Sequence, residues 1–247
     1  FISKLPGAVG AHNPKWVKKP SLKFFEKMQK WARGNIRLVT IAAELPGAVE
    51  FTKEMVRQHV AISLGHQMAG YDDMSRLADA GAKCITHLGN GMPNMVHRHN
   101  NPLLAGLAED RLAALIITDG HHLPDGVVKT IIKVKSAEKI IVTSDASPIA
   151  GFKPGRYDVM GNIAILTENG LLHNPKKKCL VGSSFTMLEC MNHLLKLNLL
   201  NEEQLFKVSF LNPLKLINIS SKNIKSSNIV KLDKKRNQFV IIRKNED

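Results

Sequence analysis

Apolar residues in this chain fall into short runs that alternate with amphipathic stretches. The runs at 61–65, 83–86, 112–118 and 139–143 end in Gly or polar residues and the run at 36–42 leads to Glu44, the pattern of buried strands. Between them, apolar positions recur at helical spacing over 46–59, over 71–80 with Gly81 as a stop, and over 124–135. Residues 15–33 also read as one or two helices. Strands alternating with helices at this spacing predict an α/β fold with a parallel sheet built of right-handed crossovers. The fold expected is a (β/α)8 TIM-type barrel, here incomplete. Five strands are present where a barrel needs about eight, and the missing ones are expected before Phe1.

The rhythm breaks at 155–180, where alternation in Tyr157-Asp158-Val159-Met160 and Asn162-Ile163-Ala164-Ile165-Leu166 predicts a hairpin inserted over the strand ends. Gly182-Ser183-Ser184 is expected to open a long helix to about Leu197, followed by a shorter one over 202–211. Signals after Ile219 are weak, with one strand expected at 238–242. The organisation predicted is a partial barrel over 1–219, then a segment over 220–247 that is either a remnant of a small β-sandwich or a basic tail.

Composition narrows the classes. At 247 residues and 44% hydrophobic content the chain supports a real core, and no run approaches the roughly 20 apolar residues of a membrane span. The opening FISKLPGAVG has no charged start followed by an apolar block, and a chain beginning at Phe is expected to be a fragment or a processed product. Cys84, Cys179 and Cys190 lack paired or metal-ligand spacing, which predicts reduced thiols in a cytoplasmic protein. The net charge of +14 would permit nucleic-acid binding, yet the lysines are dispersed and only two Tyr and two Trp could stack on bases. The excess is therefore read as solvated lysine with a minor pull on an anionic substrate, and neither nucleic acid nor membrane is expected as a partner.

The candidate chemistry sits where the runs end. His66 and His87 each close an apolar run, Asp119-Gly120-His121-His122 closes another, and Asp145 a fourth. Titratable residues at the C-terminal ends of successive strands are the arrangement of a barrel active site. Two imidazoles and a carboxylate meet the needs of a hydrolytic metal site: neutral ligands for the ion and a base for its water. A single histidine after a strand is more often structural, and Asp145 could instead cap the following loop. His121 and His122, as neighbours on an extended segment, must point opposite ways. Glu44, also at a strand end, could be a ligand by bare geometry, though a supporting role is the commoner one. Arg98, in a loop with His97 and His99, reads as a solvated charge or as a phosphate clamp.

Seven motifs stand in one order: GAHNP at 10–14, IAAELPGA at 41–48, SLGH at 63–66, THLGNGM at 86–92, TDGHHLP at 118–124, TSDAS at 143–147 and LVGSS at 180–184. Together they resemble the N-acetylglucosamine-6-phosphate deacetylases of the amidohydrolase superfamily, over nearly the whole chain to about Ile219. The resemblance implies a (β/α)8 barrel with a small β-sandwich from both chain ends, and removal of acetate from N-acetylglucosamine 6-phosphate to leave glucosamine 6-phosphate. By position it implies that His66 and His87 bind a divalent metal, most simply Zn²⁺, and that Asp145 is the acid/base. It further implies substrate contacts at Ala11, His12, Asn90, Gly91, Arg98, His122 and the backbone of Leu180, Val181 and Gly182. A homodimer, with Arg98 reaching across its interface, is implied too. The family's remaining metal ligand is a Glu in an HLEGP-like segment that would lie immediately before Phe1. Gly89 and Gly91 depart from the family's usual aromatic residue and Ala, and Ser144 is extra; these bear on the sugar pocket more than on the reaction. The residues also leave open a related amidohydrolase acting on another N-acyl or cyclic amide, and a truncated remnant without turnover.

Overall fold

The computed structural model describes residues 1–225 and 228–243. The chain enters through α1 (Leu22–Trp31), whose first turn is capped by Ser21, its Oγ accepting from the Phe24 amide at 3.3 Å. Five strands follow: β1 (Leu38–Ile41), β2 (Ala61–Leu64), β3 (Cys84–Ile85), β4 (Ala113–Ile116) and β5 (Ile140–Val142). They form one sheet in chain order, every neighbouring pair parallel. Every residue of β2 and β5 is buried, which is why both read as unbroken apolar runs.

Four helices connect these strands: α2 (Ala48–Arg57), α3 (Tyr71–Asp79), α4 (Pro102–Ala108) and α5 (Asp125–Lys135). Their apolar faces, with Phe51, Met55, Met74, Leu77, Val128 and Ile131, share one core with Ile62, Leu64, Ile116 and Ile140. A smaller cluster of Cys84, Leu115 and Ile141, with Leu216 against it, includes positions that alternate with core residues of β4 and β5, as side chains on opposite faces of a strand do. The sheet is open from β1 to β5 among the described residues, in keeping with part of a barrel of about eight strands.

Between β3 and Lys196, three expectations need correction. Helix α4 was not expected; Asn101 caps it by accepting from the Leu104 amide at 3.0 Å, and Pro102 occupies its first turn. The segment 155–180 is more than a hairpin: β6 (Gly155–Val159), β7 (Asn162–Leu166), β8 (Leu172–Asn174) and β9 (Cys179–Leu180) make a four-stranded antiparallel sheet. The next helix, α6 (Met187–Lys196), starts after Thr186 rather than at 182–184, because Thr186 and Glu189 form a capping box, Glu189 Oε2 accepting from the Thr186 amide at 2.7 Å.

Helices α7 (Glu202–Phe206) and α8 (Asn212–Leu216) are joined by a π-helical segment, Lys207–Leu211. Two antiparallel strands then follow where one was expected, β10 (Asn228–Asp233) and β11 (Gln238–Arg243). Phe239 ties this hairpin to α6, its amide donating to Asn192 Oδ1 at 2.6 Å. Of the 220–247 segment, residues 226–227 and 244–247 lie outside the described residues. Among the described residues no helix is long and apolar enough to cross a membrane.

Candidate active site

The strand ends share a backbone device. His66, His87 and Asp145, each two or three residues past a strand, have φ of 52°, 33° and 49°. This left-handed region is sparsely used by residues other than glycine, though His and Asp tolerate it better than most. Such conformations persist only where the surroundings over-determine them. Here a hydroxyl ladder pins the turns, with Thr86 Oγ1 at 2.9 Å from Thr40 Oγ1 and 2.6 Å from Ser63 Oγ. Gly65 is required beside it, since a Cβ there would stand 2.7 Å from the Thr86 Cβ. The N-terminal segment crosses the same ends, the Ser3 amide donating to the His66 carbonyl at 2.9 Å.

The two imidazoles meet. His66 Nε2 and His87 Nε2 are 3.0 Å apart, and the His12 ring lies edge-on to His66 with centroids 4.8 Å apart. His66 Nδ1 is 2.8 Å from the Ala8 carbonyl, which can only accept, so Nδ1 carries the proton and a neutral His66 offers a bare Nε2. Burial, reinforced by the neighbouring imidazole, lowers His66 to about 3; burial lowers His87 to about 4. Both rings are therefore neutral near pH 7. Asp145 is pushed up by burial against the opposing pull of His122, His66 and His12. His12 is lowered by burial, with Asp145 opposing.

These donors can be tested against a metal. Two nitrogens bound to zinc at about 2.0–2.1 Å in tetrahedral geometry stand about 3.3 Å apart, so two neutral imidazoles at 3.0 Å fit two positions of one ion. The buried His87 Nδ1 has no hydrogen-bond partner among the described residues. Among the described residues no group of three His, Cys, Asp or Glu is placed to hold an ion. Glu44 accepts from the Met68 amide at 2.9 Å through Oε1, while its Oε2 makes no hydrogen bond of ordinary geometry among the described residues.

The other expected residues divide. The Asn90 amide donates to the His87 carbonyl at 2.9 Å, leaving its buried side-chain Nδ2 unpartnered. Gly91 has φ +62°, and a Cβ there would lie 2.9 Å from His87 Cε1 and 3.1 Å from His66 Nδ1. Leu180 ends β9, Val181 is buried, and a Cβ at Gly182 would sit 2.8 Å from the Asp145 carbonyl, so this backbone runs against Asp145. The Ala11 carbonyl is occupied, accepting from Asn162 Nδ2 at 2.9 Å and Lys177 Nζ at 3.2 Å. These bonds tie the β6–β9 sheet to the loop that carries His12. His121 turns to the Asn169 carbonyl and the Phe185 ring, whereas His122 turns to Asp119. Arg98 is exposed, and no hydrogen bond or ion pair among the described residues joins it to the imidazole cluster. Sequence reasoning passed over Asp119 and Ser183. Asp119 stood in view at the end of an apolar run, but its partner Ser183 lies 64 positions away.

Fold and site together describe an α/β protein with a parallel, barrel-type sheet whose buried imidazoles and carboxylates gather at the strand ends. No family model matches the chain. It is 28% identical to the N-acetylglucosamine-6-phosphate deacetylase of Lysinibacillus sphaericus, over 90% of this chain and 56% of that one. It is 25% identical to the N-acetylgalactosamine-6-phosphate deacetylase of Escherichia coli O157:H7, over 92% of this chain and 61% of that one. Among solved structures, the N-acetylglucosamine-6-phosphate deacetylase of Thermotoga maritima superposes with a TM-score of 0.83 at 26% identity, covering 99% of this chain and 66% of that one. The chain is a homologue of N-acetylglucosamine-6-phosphate deacetylases that spans roughly half to two thirds of their length.

Proposed function

We propose that this chain carries most of the active site of a metal-dependent deacetylase of amino-sugar 6-phosphates, with N-acetylglucosamine 6-phosphate as substrate and glucosamine 6-phosphate and acetate as products. The observation that supports this best is the convergence of two neutral imidazoles, 3.0 Å apart, with Asp145 at the ends of parallel strands, in a chain resembling deacetylases along nine tenths of its length. His66 and His87 would hold the ion; the third protein ligand that a catalytic zinc takes is not among the described residues. When bound, such an ion brings its water towards neutral pKa and polarises the amide carbonyl.

The chain's own residues then have defined tasks. Asp145, whose burial favours proton uptake, accepts the proton of the attacking water and passes it to the departing sugar nitrogen. His12, beside His66, faces the acetyl oxygen, and the free Asn90 Nδ2 donates to the substrate. His122 and the Leu180–Val181–Gly182 backbone orient the sugar. Arg98, exposed and with no ion pair among the described residues, clamps the 6-phosphate within a homodimer.

The E. coli relative is named for the galactosamine epimer, so the epimer is the second reading. The test measures acetate release with added Zn²⁺ from N-acetylglucosamine 6-phosphate, its galactosamine epimer and unphosphorylated N-acetylglucosamine. The phosphorylated glucosamine substrate should be turned over fastest, and Arg98→Ala should raise KM strongly for both phosphorylated sugars while barely touching the unphosphorylated one. Preference for the epimer would change the substrate. Equal losses on all three would make Arg98 structural. Absence of turnover from a zinc-loaded chain would leave a binding remnant.

A further inference from the structure

The side chain of Asp119 is 1% exposed and at the centre of a hydrogen-bond array that joins three strand ends. Its Oδ1 accepts from the backbone amides of His121 and His122, both at 2.9 Å. Its Oδ2 is 2.7 Å from His122 Nδ1 and accepts from Ser183 Oγ, also at 2.7 Å. Ser183 in turn is locked to the next strand end, its amide donating to the Asp145 carbonyl at 2.8 Å and its carbonyl accepting from Ser147 at 2.7 Å. The His122 side chain is 5% exposed and close enough to Asp145 and His87 to act on both electrostatically. Although burial opposes ionisation of Asp119, its bonds to His122 and Ser183 hold the carboxyl well below the usual range.

An ionised carboxylate has no proton to give, so the bond to His122 needs the hydrogen on Nδ1. We infer that Asp119 is a positioning residue that holds the His122 ring hydrogen on Nδ1 and leaves Nε2 as the nitrogen turned towards the site. That makes His122 an acceptor. The ligand group it meets must donate a hydrogen bond, as a sugar hydroxyl does and a phosphate or acetyl oxygen does not. The assignment of that hydroxyl to an amino sugar rests on the function proposed above; the tautomer does not.

Asp119→Asn reverses the geometry in a defined way. Two backbone amides face Oδ1, so the amide oxygen must take that side and the NH2 must take the place of Oδ2. There it donates to His122 Nδ1, which must become bare, and the ring proton moves to Nε2. The experiment is a long-range ¹H–¹⁵N spectrum of the ¹⁵N-histidine-labelled 247-residue chain at pH 8, with His122 assigned by its loss in His122→Gln. The expected result is Nδ1–H in the unmodified chain and in Ser183→Ala, which keeps the carboxylate, and Nε2–H in Asp119→Asn. An Nε2–H or doubly protonated ring in the unmodified chain overturns the inference. So does an unchanged tautomer in Asp119→Asn, or a switched one in Ser183→Ala. If Asp119→Asn does not fold, the unmodified chain and Ser183→Ala still decide. A parallel assay should show KM for N-acetylglucosamine 6-phosphate rising about tenfold in Asp119→Asn, the weight of one hydrogen bond, with zinc content unchanged. No turnover by the unmodified chain sinks the functional reading and leaves the tautomer standing. Turnover with a bare Nδ1 does the reverse.

Discussion

Two polar clusters lie at opposite ends of the same five-stranded sheet and are built on opposite principles. At the strand starts, Arg111 donates through Nε and Nη2 to both oxygens of Glu109 at 2.7 Å, through Nη2 to Ser75, and through Nη1 to Asp79. Lys135 caps the carbonyls of Glu109 at 2.6 Å and Leu112 at 3.2 Å. The bonds from Arg111 outweigh burial and hold Glu109 at about 2, so the charged carboxylate is the form these contacts favour. At the strand ends the reverse holds. Burial works against charge on His66, His87 and Asp145, three backbones are left-handed, and the buried atoms without partners include His87 Nδ1, Asn90 Nδ2, Ser147 Oγ and Glu44 Oε2. A polar cluster kept for stability satisfies every member; one kept for chemistry leaves groups to be satisfied by a ligand.

The sharpest break of that comparison is Asp145→Asn. The side chain keeps its shape and loses its basicity, so turnover of N-acetylglucosamine 6-phosphate should fall about 10²–10⁴-fold, the usual weight of a general acid–base group. The urea midpoint should barely move, because no hydrogen bond or ion pair among the described residues depends on the Asp145 side chain. A variant that unfolds but keeps its rate would place Asp145 with the strand-start cluster.

Acid should separate the two ends as well. The imidazoles of His66 and His87 lie below the ordinary value of 6.5 in the folded chain, at about 3 and about 4, so the unfolded chain takes up their protons first. Their contribution to stability is whole above pH 6.5 and is lost as pH falls from there towards 4 and then 3. Glu109 is depressed from 4.5 to about 2, so its contribution is whole above pH 4.5 and is lost only between there and about 2. In chelator-treated protein, urea midpoints should therefore drop between pH 7 and pH 5, by up to about 1.4 kcal/mol per pH unit for each imidazole. The double variant His66→Gln, His87→Gln should flatten that slope and Glu109→Gln should leave it. The opposite pattern would mean that the imidazole pair is not buried as described.

What the sequence disclosed follows the same division. The five strands were legible because parallel strands covered on both faces are nearly continuous apolar runs, as at Ala61–Leu64 and Ile140–Val142. Strands β8 and β9 were not, since Leu172-His173-Asn174 and Cys179-Leu180 are too short to show a period and exist only by pairing with β7 and with each other. Helix α4 announced itself by an Asn-Pro start but has only seven residues, about two turns. His66, His87 and Asp145 could be named because each ends a run. That all three are left-handed could not, because their surroundings are distant in the chain: Thr86, Gly65 and the Ser3 segment around the two histidines, and the Ser183 amide on the Asp145 carbonyl. Asp119 was hidden for a related reason: its meaning depends on Ser183, which only the fold brings near.

The smallest effect is expected at the strand-start end. Lys135 is 3% exposed, its ammonium is pushed by burial towards the neutral form, and it donates to two backbone carbonyls at the end of α4 and the entry to β4. Lys135→Met keeps the length of the side chain and removes the donor. The Leu112 carbonyl loses the ammonium and the Glu109 carbonyl keeps only the Leu112 amide at 3.2 Å, a cost of about 1–3 kcal/mol, set against relief from burying an ammonium. The net should be a loss, because water does not easily reach a site this closed, and it should lower Tm by a few degrees in a chain of this size. Acetate release and the tautomer of His122 should stay as they are. A Met variant as stable as the unmodified chain would show that these bonds only offset their own desolvation, and that the strand-start cluster is satisfied without being stabilising.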